Sequence, residues 1–260
     1  MSNQIHPSAI VSSSAELGNN NRIGAYAIIE DGVRLGDDNV IAAHATLKFG
    51  TRMAHRNRVY EHAVIGGAPQ HVKFTDESIP TFTEIGNDNV FREAVTVNRA
   101  YIEGKSTIVG DSNYLMTTAH FGHDCVVGNH NVFANAVALA GHVSMGDRAF
   151  VSGGVMIHQF THVGSYAMIG GNSKITQDVL PYMITDGNPA IVRGLNLVGL
   201  KRAGFSLEDI RGLKQAFRLL FRRGSSLEAN LAEMRSLGHA LVTQICEFVE
   251  HADRGFHRPE

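Results

Sequence analysis

Residues 109–139 read VGDSNY-LMTTAH-FGHDCV-VGNHNV-FANAVA-L, and every block of six opens on an apolar residue: Val109, Leu115, Phe121, Val127, Phe133 and Leu139. Toward the C-terminus the register continues through Met145, Val151, Ile157, Val163, Ile169 and Ile175 without a fault. Toward the N-terminus it skips Glu103, takes in Val97, Phe91 and Ile85, breaks phase, and resumes from Ile65 back to Val11. A helix repeats its apolar face every 3.6 residues and a strand every 2, so neither accounts for a period of six. The period describes one short flat wall rebuilt many times, which is a β-solenoid.

A coarser rhythm groups the walls. Gly-x-x-Asn opens at Gly18 and Gly36, and again at Gly110 and Gly128, each pair eighteen residues apart, so three hexads make one coil. Each hexad supplies a short strand with one large residue pointing inward, then a corner at which Gly, Asn or Asp tolerates left-handed backbone angles. Strands pair with their equivalents one coil away, at about 4.8 Å, and only the two ends of the stack need caps.

The solenoid reading spans about Ile10 to Asn188, with two interruptions. Gly67 to Glu84 shifts the phase by two residues and carries Pro69 and Pro80, which marks a projecting loop. In Asn98 to Ile108, Glu103 occupies an apolar slot, so either that slot is in a loop or the phase is kept by accident. Beyond Pro189 the spacing turns helical: Ile210, Leu213, Phe217, Leu220 and Phe221 share a face, with Ser206 and Asp209 as an N-terminal capping pair and Gly224 as a stop. Two more helices follow, through Leu227, Leu231 and Met234 and through Leu241, Ile245 and Phe248. The expected organisation is a β-helix over 1–189 and a helical domain over 190–260 that covers the last strand edges.

Composition narrows the setting. An apolar fraction of 43% with 18% charged residues is that of a folded globular chain. Two cysteines, Cys125 and Cys246, form no disulfide framework, and Met1 to Pro7 carries no signal-peptide pattern, so a reducing, cytoplasmic location is expected, with no membrane span. The net charge is −2, yet Ala190 to Arg223 holds eight basic residues against two acidic ones. That local +6 suits an acidic partner, and nucleic acid is not the one expected.

Residues eighteen apart stack on one face, which turns the register into a ruler. His123, Gly141 and Gln159 fall in one column, Asp124, His142 and Phe160 in the next, and Gly122, Ala140 and His158 in the one before. An imidazole can take a proton from a hydroxyl at neutral pH when a carboxylate fixes its tautomer. Gly141 can present a bare backbone N–H to a developing oxyanion. Base and oxyanion donor one coil apart suit acyl transfer to an alcohol, while Cys125, beside Val126 and Val127, reads as a packing residue.

The strings His120-Phe121-Gly122-His123-Asp124-Cys125, Ala140-Gly141-His142-Val143, Ile157-His158-Gln159-Phe160 and Gly199-Leu200-Lys201-Arg202-Ala203-Gly204-Phe205 resemble those of the UDP-N-acetylglucosamine acyltransferases of lipid A synthesis. The similarity covers essentially the whole chain. It implies a left-handed parallel β-helix, against the usual right-handed crossover, a homotrimer with sites between subunits, and neither cofactor nor resident metal. It also implies transfer of a 3-hydroxyacyl chain from acyl carrier protein to the glucosamine 3-position of UDP-N-acetylglucosamine. His123 matches the general base, Asp124 its orienting carboxylate and the Gly141 amide the oxyanion donor. His120, His142, His158 and Gln159 match substrate-contacting positions, as do Gln70, His71 and Lys73 in the projecting loop and Asn196 and Arg202 near the cap. Gly171 falls where acyl length is set, open for a chain of about fourteen carbons. The basic residues Lys201, Arg202, Arg211, Lys214, Arg218, Arg222 and Arg223 then face acyl carrier protein or are simply a solvated helix face.

His71 stands where the best-known members carry an aspartate that touches the sugar, and Val198 replaces an acidic residue near the nucleotide. The same chemistry on a 3-amino UDP-sugar is therefore the alternative. A zinc carbonic anhydrase on the same solenoid, with histidine ligands, and a non-catalytic trimeric scaffold are the competing classes.

Overall fold

The computed structural model describes residues 2–260; Met1, where the expected β-helix domain and the N-terminal reading begin, lies outside them. The chain winds into a left-handed parallel β-helix with three walls, closed at its C-terminal end by four helices. Most strands are two residues long: the first side chain faces out and the second in, as in Arg22 and Ile23. The register is eighteen, with Ile23 opposite Ile41, Phe121 opposite Leu139, and Leu139 opposite Ile157. A second inward position precedes each register residue by two and takes a small side chain, as at Ala27, Ala45, Ala63 and Ala119, all fully buried. One large and one small residue per wall fill the narrow triangular interior, and Phe91, Phe121 and Phe133, from three successive coils, are its bulkiest side chains.

The corners differ from expectation. The left-handed residue stands three positions after the wall residue, and the set includes Tyr26, His44, Thr118, His142 and Phe160 as well as Asn20, Asp38 and Asp124, all at φ near +60°. A side chain there costs energy, and such strain persists only where surrounding structure over-determines it. At most of these corners the N–H of the left-handed residue is donated to a carbonyl of the neighbouring coil, as from His44 to Ala25 at 3.0 Å and from His142 to His123 at 2.9 Å, whereas Tyr26 and Asp124 donate to the Ser8 and Thr107 hydroxyls.

The Gly-x-x-Asn motif acquires a physical reason. A Cβ on Gly36 would lie 2.7 Å from the Ala54 carbonyl oxygen, so the adjacent coil excludes it. The motif's Asn builds a buried ladder in which each Oδ1 accepts the backbone N–H of the equivalent residue in the next coil, from Asn39 to Asn57 to Asn89 to Asn113 to Asn131, at 2.8–2.9 Å. Each side-chain amide also donates to a carbonyl, as from Asn57 to Gly86 at 2.9 Å. Every buried polar atom of the ladder is thereby satisfied.

Both interruptions are loops. The first leaves strand Val64–Gly67 and returns at Phe82–Ile85, and the second leaves Thr96–Asn98 and returns at Ser106–Val109. Across them the strand offset grows from eighteen to 32 (Arg58 to Val90) and then 24 (Val90 to Tyr114). The second insertion is one hexad long, so Glu103 is in a loop and the phase survives by coincidence of length.

At the C-terminal end, Met183–Gly187 joins the first wall, and Ala190–Leu195 folds back on it antiparallel. The sheet thus runs beyond Pro189 before helix α1 (Leu197–Arg202) begins. Helices α2 (Leu207–Leu220), α3 (Leu227–Ser236) and α4 (Ala240–Glu250) follow. The Ser206/Asp209 capping box is present, and Ser226 caps α3. Helix α1 has no periodicity of its own; Asn196 starts it by accepting the Gly199 N–H. A second core of Leu180, Leu200, Leu213, Met234 and Ile245 docks the helices on the last coil. No described helix is long and apolar enough to cross a membrane.

Candidate active site

The columns meet as the register requires. His123 lies two residues past the second-wall residue Phe121, at a corner, and its ring is 5.1 Å from that of His142 one coil on, edge to face. His142 in turn stacks on Phe160 at 4.7 Å. His123 Nδ1 is 2.7 Å from Asp124 Oδ2, and His142 Nε2 is 3.8 Å from the same oxygen. An ionised carboxylate only accepts, so Nδ1 of neutral His123 carries the proton and Nε2 keeps its lone pair.

Asp124 is held from three sides. Its left-handed backbone points the carboxylate back toward His123, its N–H donates to Thr107 Oγ1 at 2.8 Å, and its Oδ2 accepts the Tyr101 N–H at 2.9 Å. The His123 side chain faces away from the apolar core yet is only 11% exposed, because the loops cover it. His71 of the first loop presents its ring edge-on at 5.5 Å, and Tyr101 of the second lies 5.9 Å away.

Gly141 is glycine for a local reason. Its φ is not left-handed, but a Cβ would stand 2.7 Å from both Cε1 and Nε2 of His123. The imidazole therefore rests against the backbone of Gly141, whose N–H has no acceptor among the described residues. A lone pair and an unused N–H donor share one small volume.

Burial tunes the other histidines. His120 donates to or accepts from Thr96 Oγ1 at 2.8 Å, and burial lowers its pKa. Burial also lowers that of His142, against the opposing pull of Asp124. Both favour the neutral ring. Cys125 is fully buried, donates to the Ala140 carbonyl, and its thiol is pushed up to about 12 by burial, which removes it as a nucleophile.

Around this centre the structure places the remaining residues unequally. Gln70, Lys73, His158 and Gln159 are exposed beside it or on its columns, and Arg202 is exposed on α1. The Asn196 carboxamide is occupied, donating to the Tyr166 carbonyl at 2.9 Å and accepting from Gly199 at 3.0 Å. Gly171 follows first-wall Ile169, a different corner of the prism from that of His123. A Cβ there meets nothing closer than 3.5 Å, so the fold does not demand glycine. Reading the sequence in columns missed Tyr101, Thr107 and Thr96. Thr107 was available from the register, but Thr96 pairs with His120 at an offset of 24 across the second insertion, and Tyr101 is inside that insertion, where the ruler has no marks.

The match to known proteins is extensive. The family described as Udp N-acetylglucosamine O-acyltransferase, Domain 2, matches residues 178–257, and the bacterial transferase hexapeptide family matches 14–48. The acyl-[acyl-carrier-protein]--UDP-N-acetylglucosamine O-acyltransferase of Synechocystis is 46% identical over 75% of this chain and 71% of its own length. That of Alkalilimnicola ehrlichii is 44% identical over 75% and 76%. The crystal structure of the UDP-N-acetylglucosamine acyltransferase of Bacteroides fragilis superposes with a TM-score of 0.94 at 35% identity, covering 98% of this chain and all of that one. The Moraxella catarrhalis enzyme gives a TM-score of 0.94 at 36% identity, over 98% and 99%. Relatives of this identity, matched over two thirds or more of both chains, and solved structures that superpose over nearly the whole length show that the chain belongs to the UDP-N-acetylglucosamine O-acyltransferase family.

Proposed function

We propose that this protein transfers a 3-hydroxyacyl chain from acyl carrier protein to the glucosamine 3-hydroxyl of UDP-N-acetylglucosamine, the first step of lipid A synthesis. The observation that carries the reading is the pairing of the His123 Nε2 lone pair with the unused Gly141 N–H. The hydroxyl proton passes to Nε2 as the oxygen attacks the carrier's thioester carbonyl. The carbonyl oxygen takes up charge beside the Gly141 N–H, and collapse of that adduct expels the carrier thiol, protonated by the imidazolium. Asp124 stabilises the imidazolium and keeps the ring oriented. His142, held neutral by burial, adds no competing cation beside the base. His120, His158, Gln159, Gln70, His71, Lys73, Asn196 and Arg202 are assigned to substrate contact.

Two features support the finer assignments. Lys201, Arg202, Arg211, Lys214 and Arg218 are exposed and make no ion pair among the described residues, a surface suited to an acidic carrier protein. Gly171 and His123 stand on different corners of the prism, which supports an acyl groove shared between subunits. A homotrimer would set the corner of one subunit against the wall of the next, and the outward-facing Ile28, Phe150 and Met156 are apolar enough for such a contact. Sedimentation analysis is expected to return three times the chain mass. A cytoplasmic location fits two buried, free cysteines.

A panel of acyl carrier proteins of graded chain length, incubated with hydroxyl and 3-amino UDP-sugars, tests the whole reading by product mass. The expected product is the 3-O-acyl sugar, with His123→Ala below a tenth of the wild-type rate. A second reading has one observation in its favour: ligand atoms of His123, Asp124 and His142 lie within 4.8 Å of one another. Stoichiometric zinc, lost together with activity on chelation, would favour it over proton transfer by His123.

A further inference from the structure

The two insertions grip each other along their length. Asn98 Nδ2 donates to the Ala68 carbonyl at 2.7 Å, and the N–H groups of Arg99 and Gly104 donate to Gly67 and Pro80, each at 2.8 Å. Arg99, 3% exposed, stands over the rings of Phe49 and Phe74 and donates to the Glu77 carbonyl at 2.7 Å. The next contact in this series reaches the catalytic pair. Tyr101 gives its N–H to Asp124 Oδ2, the oxygen that also takes His123 Nδ1–H, while its ring centroid lies 4.3 Å from His71 and 6.1 Å from Phe74.

His71 is itself fixed in tautomer. Its Nδ1 accepts the Lys73 N–H at 3.2 Å, so in the neutral ring Nε2 bears the proton and is a donor. A donor of this kind recognises an oxygen lone pair and offers nothing to an ammonium group.

We infer that Tyr101 is a positioning residue for the acceptor: its ring holds His71 against the His123 base, so that the two insertions form one recognition wall for the hydroxyl-bearing sugar of a UDP-linked acceptor. The inference rests on His123 as base. Tyr101 acts through His71 and through the loop, not on the reacting atoms. Its hydroxyl has no hydrogen-bond partner among the described residues, so the ring alone is required.

Initial rates of Tyr101→Ala, Tyr101→Phe, His71→Ala and the Tyr101→Ala/His71→Ala double variant, with UDP-N-acetylglucosamine varied at saturating 3-hydroxyacyl-loaded acyl carrier protein, test this. Tyr101→Ala is expected to raise the acceptor KM about fivefold to tenfold, the loss of one aromatic pair. Its kcat stays within about twofold and the KM for acyl carrier protein is unchanged, because the N–H to Asp124 belongs to the backbone. Tyr101→Phe restores the wild-type KM, and the double variant is no worse than His71→Ala, since the two residues act as one unit. If Tyr101→Ala is unstable, Tyr101→Leu keeps the volume and is expected to show the same rise. An unchanged acceptor KM, equal rises for both substrates, or multiplicative effects in the double variant would each overturn the inference while leaving His123 as base. A His123→Ala variant that keeps wild-type rates would instead overturn the acyl-transfer reading and this inference with it.

Discussion

Gly141→Ala adds one carbon at the most sensitive point of the molecule. The new Cβ would stand 2.7 Å from His123 Cε1 and Nε2 and 3.2 Å from Nδ1. Ordinary carbon contact needs about 3.5 Å or more, so the ring must retreat by roughly 0.8 Å. It cannot retreat freely: Nδ1 is tied to Asp124, and Asp124 to Tyr101 and, through its N–H, Thr107. A reacting group misplaced by about 1 Å costs about a hundredfold in rate, and that is the expected loss in kcat. The fold has no reason to suffer, because Gly141 does not use a left-handed φ and the alanine retains the N–H. Removing glycine even stabilises by about 0.4–1 kcal/mol through the unfolded chain, which offsets part of the crowding. Steady-state rates and thermal melting of the same preparation separate the two effects. A variant that keeps more than half of the wild-type kcat with an unchanged melting temperature would refute the contact between ring and backbone as the organising feature of the site.

Asp124→Asn is expected to lower kcat about a hundredfold and no further, because the fixed Tyr101 donor keeps the amide oxygen facing His123 and preserves its tautomer; a loss beyond about 10⁴ would show that the amide had flipped. Both cysteines should resist a thiol reagent at pH 8 in the native protein and react only on unfolding, since Cys125 is fully buried with its thiol pushed up to about 12. Asn57→Ala should cost about 2–5 kcal/mol in melting or denaturant experiments, because it strands the buried Asn89 N–H and the Gly86 carbonyl. The pH dependence of stability has a definite sign. Burial lowers the folded pKa of His120, so the unfolded chain binds more protons between that value and about 6.5; its contribution is complete above about 6.5 and lost as pH falls below it. Melting temperature should therefore fall from pH 7 to pH 5, and His120→Gln should flatten the slope.

The sixfold register was enough to read the walls, their stacking at eighteen and the meeting of His123, Asp124, Gly141 and His142. Each of these follows from one physical constraint, since a parallel coil can repeat only if large residues return to the same interior position. The corners were read less well. Tyr26, His44 and Phe160 take left-handed angles that their chemistry disfavours, because hydrogen bonds from the neighbouring coil impose a backbone that composition does not reveal. The strand Ala190–Leu195 was equally hidden, as its partner runs antiparallel and outside the register.

What the sequence by itself determined is the walls, their stacking and the columns that the repeat lays out, together with the helix starts at Ser206 and Ser226, whose capping is local. Only the tertiary structure decided how the site is closed. Glu103 proved to be loop, His123 was buried by insertions instead of by the core, and Tyr101 joined Asp124 to His71. Loop conformation is set by contacts made after the coils have stacked, between residues whose separation obeys no period, so the partners of Asp124 become legible only once the chain is folded.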